Sequence, residues 1–112
     1  MDPAVDLVSS LNLIGIDREG VERPFMVGVG KPYRRPNGEW ACPTLSFDFP
    51  EARPIYGEDS LQALCLGLSF IRRRLEHFLE DGGRLLSADD RDHVPRQDLA
   101  TWFSMVGGRR TD

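Results

Sequence analysis

The sequence predicts an α+β fold: a three-stranded antiparallel meander packed against one long helix, with a short C-terminal helix. Three observations carry this. Apolar and polar residues alternate through the first half of the chain, an Asn-Gly turn signal divides two of the alternating runs, and a long stretch of helical periodicity follows them. Strands grouped ahead of helices, rather than interleaved with them, mark a segregated α+β architecture.

The first strand is expected over residues 5–16, where Val5, Leu7, Leu11 and Leu13 share one register and polar Ser9 fills the gap. A short helix over residues 3–9 competes, because Asp2-Pro3 offers a cap followed by a first-turn proline. Asp17-Arg18-Glu19-Gly20 supplies a turn. Phe25, Val27 and Val29 then alternate with Met26, Gly28 and Gly30, giving a second strand with one bulky face and one thin face. Pro36-Asn37-Gly38 signals a hairpin, with Asn-Gly as the centre of a type I′ turn. In the third strand Trp40 and Cys42 share one parity, whereas Leu45, Phe47 and Phe49 share the other. A bulge at Pro43 would bring both sets to one side.

The long helix is expected over about 60–81. Asp59 is a suitable N-cap, and Gln62 can reach back to the N–H of the cap itself, as in a capping box. Leu61, Leu64, Cys65, Leu68, Ile71, Leu75, Phe78 and Leu79 form one continuous apolar stripe. Gly82-Gly83 suits a left-handed C-terminal cap. Beside the stripe, Ala63, Leu66, Gly67 and Phe70 make a smaller apolar patch. The C-terminal helix is expected to cover it, with a dimer or partner contact as the alternative. Arg72, Arg73 and Arg74 fan around the helix as a solvated set. Residues 84–94 read as an acidic loop. A last helix starts at Pro95 and carries Leu99, Trp102, Phe103 and Val106 on one face, before a frayed tail from Gly107.

A chain of 112 residues is one domain, 1–112, with the core placed at about 5–86 and a C-terminal appendage at about 87–112. Such a chain buries roughly 60% or more of its unfolded surface, enough for a core without metal or disulfide support. The net charge of −4, with the excess acid in residues 1–60, disfavours non-specific nucleic-acid binding. Met1-Asp2-Pro3 lacks the basic start and apolar run of a secretory leader, and no stretch approaches a membrane span. Cys42 and Cys65 are too few for a disulfide framework. A reduced, cytoplasmic location without membrane contact is the expectation.

Motifs that carry chemistry are weak here. Gly30-Lys31 has the ending of a phosphate loop, but Phe25 stands where the first glycine belongs and Pro32 where a magnesium-binding hydroxyl belongs. Cys42, Cys65, His77 and His93 lack zinc-ligand spacing. A Cys42–His93 nucleophile pair has no oxyanion-stabilising element beside it. Asp89, Asp90 and Asp92 lack the alternation and central glycine of a calcium loop. No catalytic residue, metal or cofactor is therefore assigned. Lys31, Tyr33, Arg34, Arg35 and Trp40 interleave charge with aromatic surface, which can serve single-stranded nucleic acid. The acidic chain argues against that use, and Tyr, Trp and Arg are also the residues of protein-interface hot spots.

Three stretches resemble a family of small bacterial domains of unknown function. They are Gly30-Lys31-Pro32, Gly38-Glu39-Trp40-Ala41-Cys42-Pro43, and Ile55-Tyr56-Gly57-Glu58-Asp59-Ser60-Leu61-Gln62-Ala63-Leu64. The resemblance covers about residues 11–85. It implies three strands followed by a helix, with a Trp-x-Cys strand and a Tyr-Gly-x-Asp-Ser-x-Gln-Ala-Leu helix start, and it transfers no catalytic residue.

Two functional readings follow. The first is a non-enzymatic protein-binding module, such as an immunity or chaperone-like protein. Its partner, or a second copy in a homodimer, would dock on the bare sheet face and hairpin at Lys31, Tyr33, Arg34 and Arg35, and on Leu66 and Phe70. The alternative is a small-ligand-binding or enzymatic domain with a pocket at the strand-to-helix junction, formed by Trp40, Cys42, Tyr56 and Asp59, where a helix N-terminus can hold an anion. In that alternative Asp59 competes with its simpler role as a cap.

Overall fold

The computed structural model describes residues 6–103. These comprise β1 (Leu7–Ile16), β2 (Glu22–Gly30), β3 (Tyr33–Arg34), β4 (Trp40–Leu45), β5 (Arg53–Gly57), α1 (Ser60–Glu80), β6 (Arg84–Ser87) and α2 (Arg96–Trp102). The fold is α+β with every strand pairing antiparallel, as the alternation predicts, but the sheet has six strands rather than three. In space, β6 pairs β1, β1 pairs β2, and β2 pairs β4. On that same side of β4, β3 continues where β2 leaves off, and β5 lies along the opposite side.

The three unforeseen strands have a common cause. Each is too short to alternate visibly: β3 is two residues, β5 contains Pro54, and the apolar residues of β6, Leu85 and Leu86, are adjacent. Adjacent leucines are compatible with a strand buried on both sides, and both are buried here. The region expected as an acidic loop thus begins as a sheet strand. Its chain then turns back, with a Leu86–His93 bridge and the Val94 N–H donating to Leu85 C=O at 2.8 Å.

β1 is a strand through residues 7–9, which rules out a helix there; residues 1–5 lie outside the described range. Its pairing with β2 slips by one residue between Leu7 and Ser9. The Asp17–Gly20 turn closes as expected: the Asp17 carboxylate accepts from the N–H groups of Glu19 and Val21, and Gly20 takes a left-handed φ of 87°. The β3–β4 hairpin departs from the type I′ expectation. The Arg35 N–H donates to Glu39 C=O and the Gly38 N–H to Arg35 C=O, while only Gly38 has positive φ. Proline at the first central position favours a type I turn, and Gly38 adds the left-handed residue of a three-residue loop.

Register partners share a sheet face, so the layers can be read from the pairing. Leu11, Leu13, Phe25, Val27, Val29, Cys42 and Thr44 face the helices. Pro43 makes no bulge, because β4 runs in unbroken register with β5 from Trp40–Gly57 to Thr44–Arg53. Phe47 reaches the core by another route. The strand stops at Leu45, the Ser46 hydroxyl donates to the Asp48 carboxylate, and the turn lays the Phe47 ring on Phe25 at 3.8 Å, with Phe78 edge-on to both.

Helix α1 begins at the expected cap: Asp59 is extended, and its carboxylate accepts the Gln62 N–H at 2.7 Å. Gln62 reaches back one residue further than expected, accepting the N–H of Glu58. At the other end Gly82, φ 96°, donates to Leu79 C=O and Gly83 to Phe78 C=O, the paired bonds of a Schellman motif.

The buried line of α1 differs from the leucine stripe. It runs through Ala63, Gly67, Ile71 and Leu75, flanked by half-buried Leu64, Leu68, Phe78 and Leu79, whereas Leu61 is 68% exposed. Small residues form the first half of that line because the helix sits close to β4 and β5. A Cβ on Gly67 would stand 2.9 Å from the Cys42 Sγ, and one on Gly57 would stand 2.6 Å from the Ala63 nitrogen. The patch expected under the C-terminal helix is therefore split. Ala63 and Gly67 rest on the sheet, while Leu66 and Phe70 turn outward beside β5, with Phe70 near Phe49. Helix α2 instead lies beside Leu68 and Ile71, where Trp102 and Phe103 close one side of an apolar cleft of about 410 Å³. Val94 and Leu99 are buried in the main core, which thus extends past the limit of about residue 86. Val106 and the tail lie outside the described residues.

Candidate functional site

Both helices occupy one face of the sheet. Over the other face, no element of the described residues is layered. Cys42 points at the helix, so its strand neighbours Ala41 and Pro43 point away. Ala41 pairs with Tyr33 on one side and Tyr56 on the other. The three residues form a row across the bare face: Ala41 is fully buried between two tyrosines that are 48% and 42% exposed. The Arg35 guanidinium lies 4.9 Å from the centre of the Tyr56 ring and pairs with Glu39 at 3.0 Å. Pro43 and Pro54 pair directly beside this row and extend its apolar surface.

The structure therefore joins residues that the sequence assigned to different sites. Tyr33 and Arg35 of the hairpin meet Tyr56 of the strand-to-helix junction. Register sets Arg34 on the opposite parity, opposite Trp40, and Lys31 is an exposed residue before β3. Leu66 and Phe70 belong to a separate groove of about 390 Å³ along the outer side of β5, lined also by Ile55, Ser69, Arg73, Arg74 and His77.

The junction pocket is assembled differently from the sequence expectation. Trp40 packs against the core, and Cys42 is fully buried beneath α1. Burial pushes the Cys42 thiol up to about 11, and the Sγ lies within 3.6 Å of the Gly30 and Pro43 carbonyl oxygens. A thiol held protonated in this way is a poor nucleophile. The Asp59 carboxylate is engaged in capping. What remains is an open polar groove of about 480 Å³ with Asn37, Glu39, Tyr56, Glu58 and Gln62 along it. Among the described residues, no three His, Cys, Asp or Glu side chains are placed to hold a metal ion, and no helix is long and apolar enough to cross a membrane. His93 sits at the β6 end of the sheet, away from Cys42 in β4.

The cross-strand row was hidden from sequence reasoning because β5 was not recognised. The signal lay in Ile55-Tyr56-Gly57, an apolar–aromatic pair bounded by proline and glycine.

A small α+β domain with a bare sheet face is the class that this geometry defines. The chain belongs to the family described as a domain of unknown function (DUF6968), which it matches over residues 13–96. That match runs through β6 and Val94, beyond the span of the resemblance noted from the sequence. No curated protein and no solved structure matches the chain.

Proposed function

We propose that this chain is a non-enzymatic protein-binding module, of the immunity or chaperone-like kind, and that it meets its partner on the bare sheet face. The observation that carries the reading is the Tyr33–Ala41–Tyr56 row, with Arg35 stacked on Tyr56. Two half-exposed tyrosines on either side of β4, beside an arginine, match the composition of interface hot spots. They lie two strand spacings apart, about 10 Å, a span that one side chain of a partner can bridge.

The test is capture from native lysate by tagged protein, followed by the same capture with Tyr33→Ser and with Arg34→Glu/Arg35→Glu. One protein retained in stoichiometric amount by the parent chain and lost with either variant supports the reading. Retention unchanged by both overturns the assignment of the face. The alternative, a small-ligand site, finds support only in the polar groove at Tyr56 and Glu58. An empty capture, combined with thermal stabilisation by a small molecule that Tyr56→Ala abolishes, would favour it.

A further inference from the structure

The strand β5 is an edge of the sheet: among the described residues, its strand neighbour is β4 alone. The direction of its backbone groups follows from the Pro43–Pro54 pair. In an antiparallel ladder, residues facing each other alternate between pairs that exchange hydrogen bonds and pairs that do not. Two prolines have no N–H to exchange, so Pro43–Pro54 is a non-bonded pair. Cys42–Ile55 and Trp40–Gly57 are then bonded pairs, and Ala41–Tyr56 is not. The hairpin gives the same phase independently, since the Arg35 N–H to Glu39 C=O bond makes Tyr33–Ala41 a bonded pair and leaves Ala41 turned away from β5. The outward edge of β5 therefore offers the Pro54 C=O, the Tyr56 N–H and the Tyr56 C=O. It ends there, because Gln62 Oε1 already takes the Glu58 N–H.

From this edge we infer that the partner of the proposed binding module adds an extended, acidic segment to β5. The inference rests on the protein-binding reading and specifies how the partner engages. Side chains of an added strand alternate between the two sides of the sheet. On one side they meet the groove of Leu66, Phe70 and Ile55, which takes an apolar side chain. On the other they meet Tyr56. Charge selects the occupant. Arg53, the first residue of β5, lies over the Phe49 ring, and Arg73 lines the groove beside Ile55; neither is in an ion pair among the described residues, although the chain as a whole is acidic. An acidic segment complements them. Pro54 restricts the ladder to the stretch around Tyr56, which keeps the edge from templating long aggregates.

The test uses the full chain and a phage-displayed library of random linear peptides. Selected peptides are expected to alternate acidic and apolar residues, and to shift the backbone amides of residues 55–57 and the Leu66–Arg73 region in NMR spectra. Tyr56→Pro removes the outward N–H without touching a β4 bond and should weaken binding roughly tenfold, close to the value of a main-chain hydrogen bond in such a ladder. Val8→Ser, in β1 away from β5, should leave affinity within about a factor of three, a range of well under 1 kcal/mol. Arg73→Glu should weaken acidic peptides while keeping the melting temperature, which covers the case of Tyr56→Pro failing to fold.

Peptides that bind Tyr56→Pro and Arg73→Glu as tightly as the parent chain overturn the inference. If those peptides depend on Tyr33 instead, the module reading survives and only the edge assignment falls. Sedimentation of the parent chain as a dimer that Tyr56→Pro dissociates replaces the acidic segment with a second copy, and overturns the inference. Absence of any selectable peptide also overturns it, leaving the module reading to the lysate capture.

Discussion

Gly67→Ala combined with Cys42→Ala tests the close seat of α1 on the sheet. In an open helix, glycine to alanine stabilises by about 1 kcal/mol. Here the new Cβ would lie 2.9 Å from Cys42 Sγ, and 3.4 Å from both Cys42 Cβ and Thr44 Cγ2. Cys42 has no room to retreat, being fully buried between the helix and its own strand. Overpacking of this kind costs about 1–3 kcal/mol. The two terms leave Gly67→Ala destabilised by roughly 1 kcal/mol, or about 4–6 °C in melting temperature for a domain of this size. Cys42→Ala alone leaves a small void and should cost about 1 kcal/mol. In the double variant the sulfur is gone, the remaining contacts are near ordinary packing distance, and the helix gain is recovered. The pair should therefore be more stable than the sum of the singles predicts, by about 1–2 kcal/mol. Urea denaturation of the four proteins measures this coupling. Additivity within about 0.5 kcal/mol would refute the claim that α1 rests on the Cys42 sulfur.

Three further outcomes are expected. In the folded protein at pH 8, a thiol alkylating reagent should modify half-buried Cys65 and spare Cys42 until the chain is unfolded; peptide mapping showing equal modification would contradict the buried thiol. Burial pushes the Asp48 carboxyl up, but bonds from the Ser46 hydroxyl and the Arg74 guanidinium outweigh it, and its pKa lies below the usual value. The stabilisation from Asp48 should thus be present above about pH 4 and fade as pH falls through the lowered folded-state value, so Asp48→Asn and parent chain should converge in melting temperature toward acid. The size of this effect is that of a half-exposed ion pair, about 1 kcal/mol or less. Asp59→Ala should cost about 1 kcal/mol by loss of the cap while Asp59→Asn costs a few tenths; a large functional loss in a stable Asp59→Asn protein would return the carboxylate to a binding role.

What was legible in the sequence depended on how local its cause is. The Asp59 cap, the Gly82-Gly83 stop and the Phe25–Val29 strand follow from residues within one turn or one strand, and each is present. The face of α1 was misjudged because leucine outweighs glycine in any periodic reading, whereas the sheet brings Ala63 against Gly57 and Gly67 over Cys42 and Thr44. The missing strands are defined by their partners: Leu85 and Leu86 become β6 only because β1 has an open side. The site suffered for the same reason. Tyr33 and Tyr56 are separated by a turn, a strand and a loop, and only the shared partner Ala41 brings them together.

The placement of β1 has a consequence for how the chain is made. This first strand sits inside the sheet, between β2 and β6, so its second side waits for residues about 70 positions later. At ribosomal rates of about 5–20 residues per second, the interval is roughly 4–14 s. During it, the nascent chain carries an unpaired inner strand beside an unfinished core. Pairing across such a sequence distance is also the slow kind in refolding. The finished molecule shields one exposed edge with Pro54, yet its point of greatest exposure occurs before release, when a strand buried in the final sheet is still an edge.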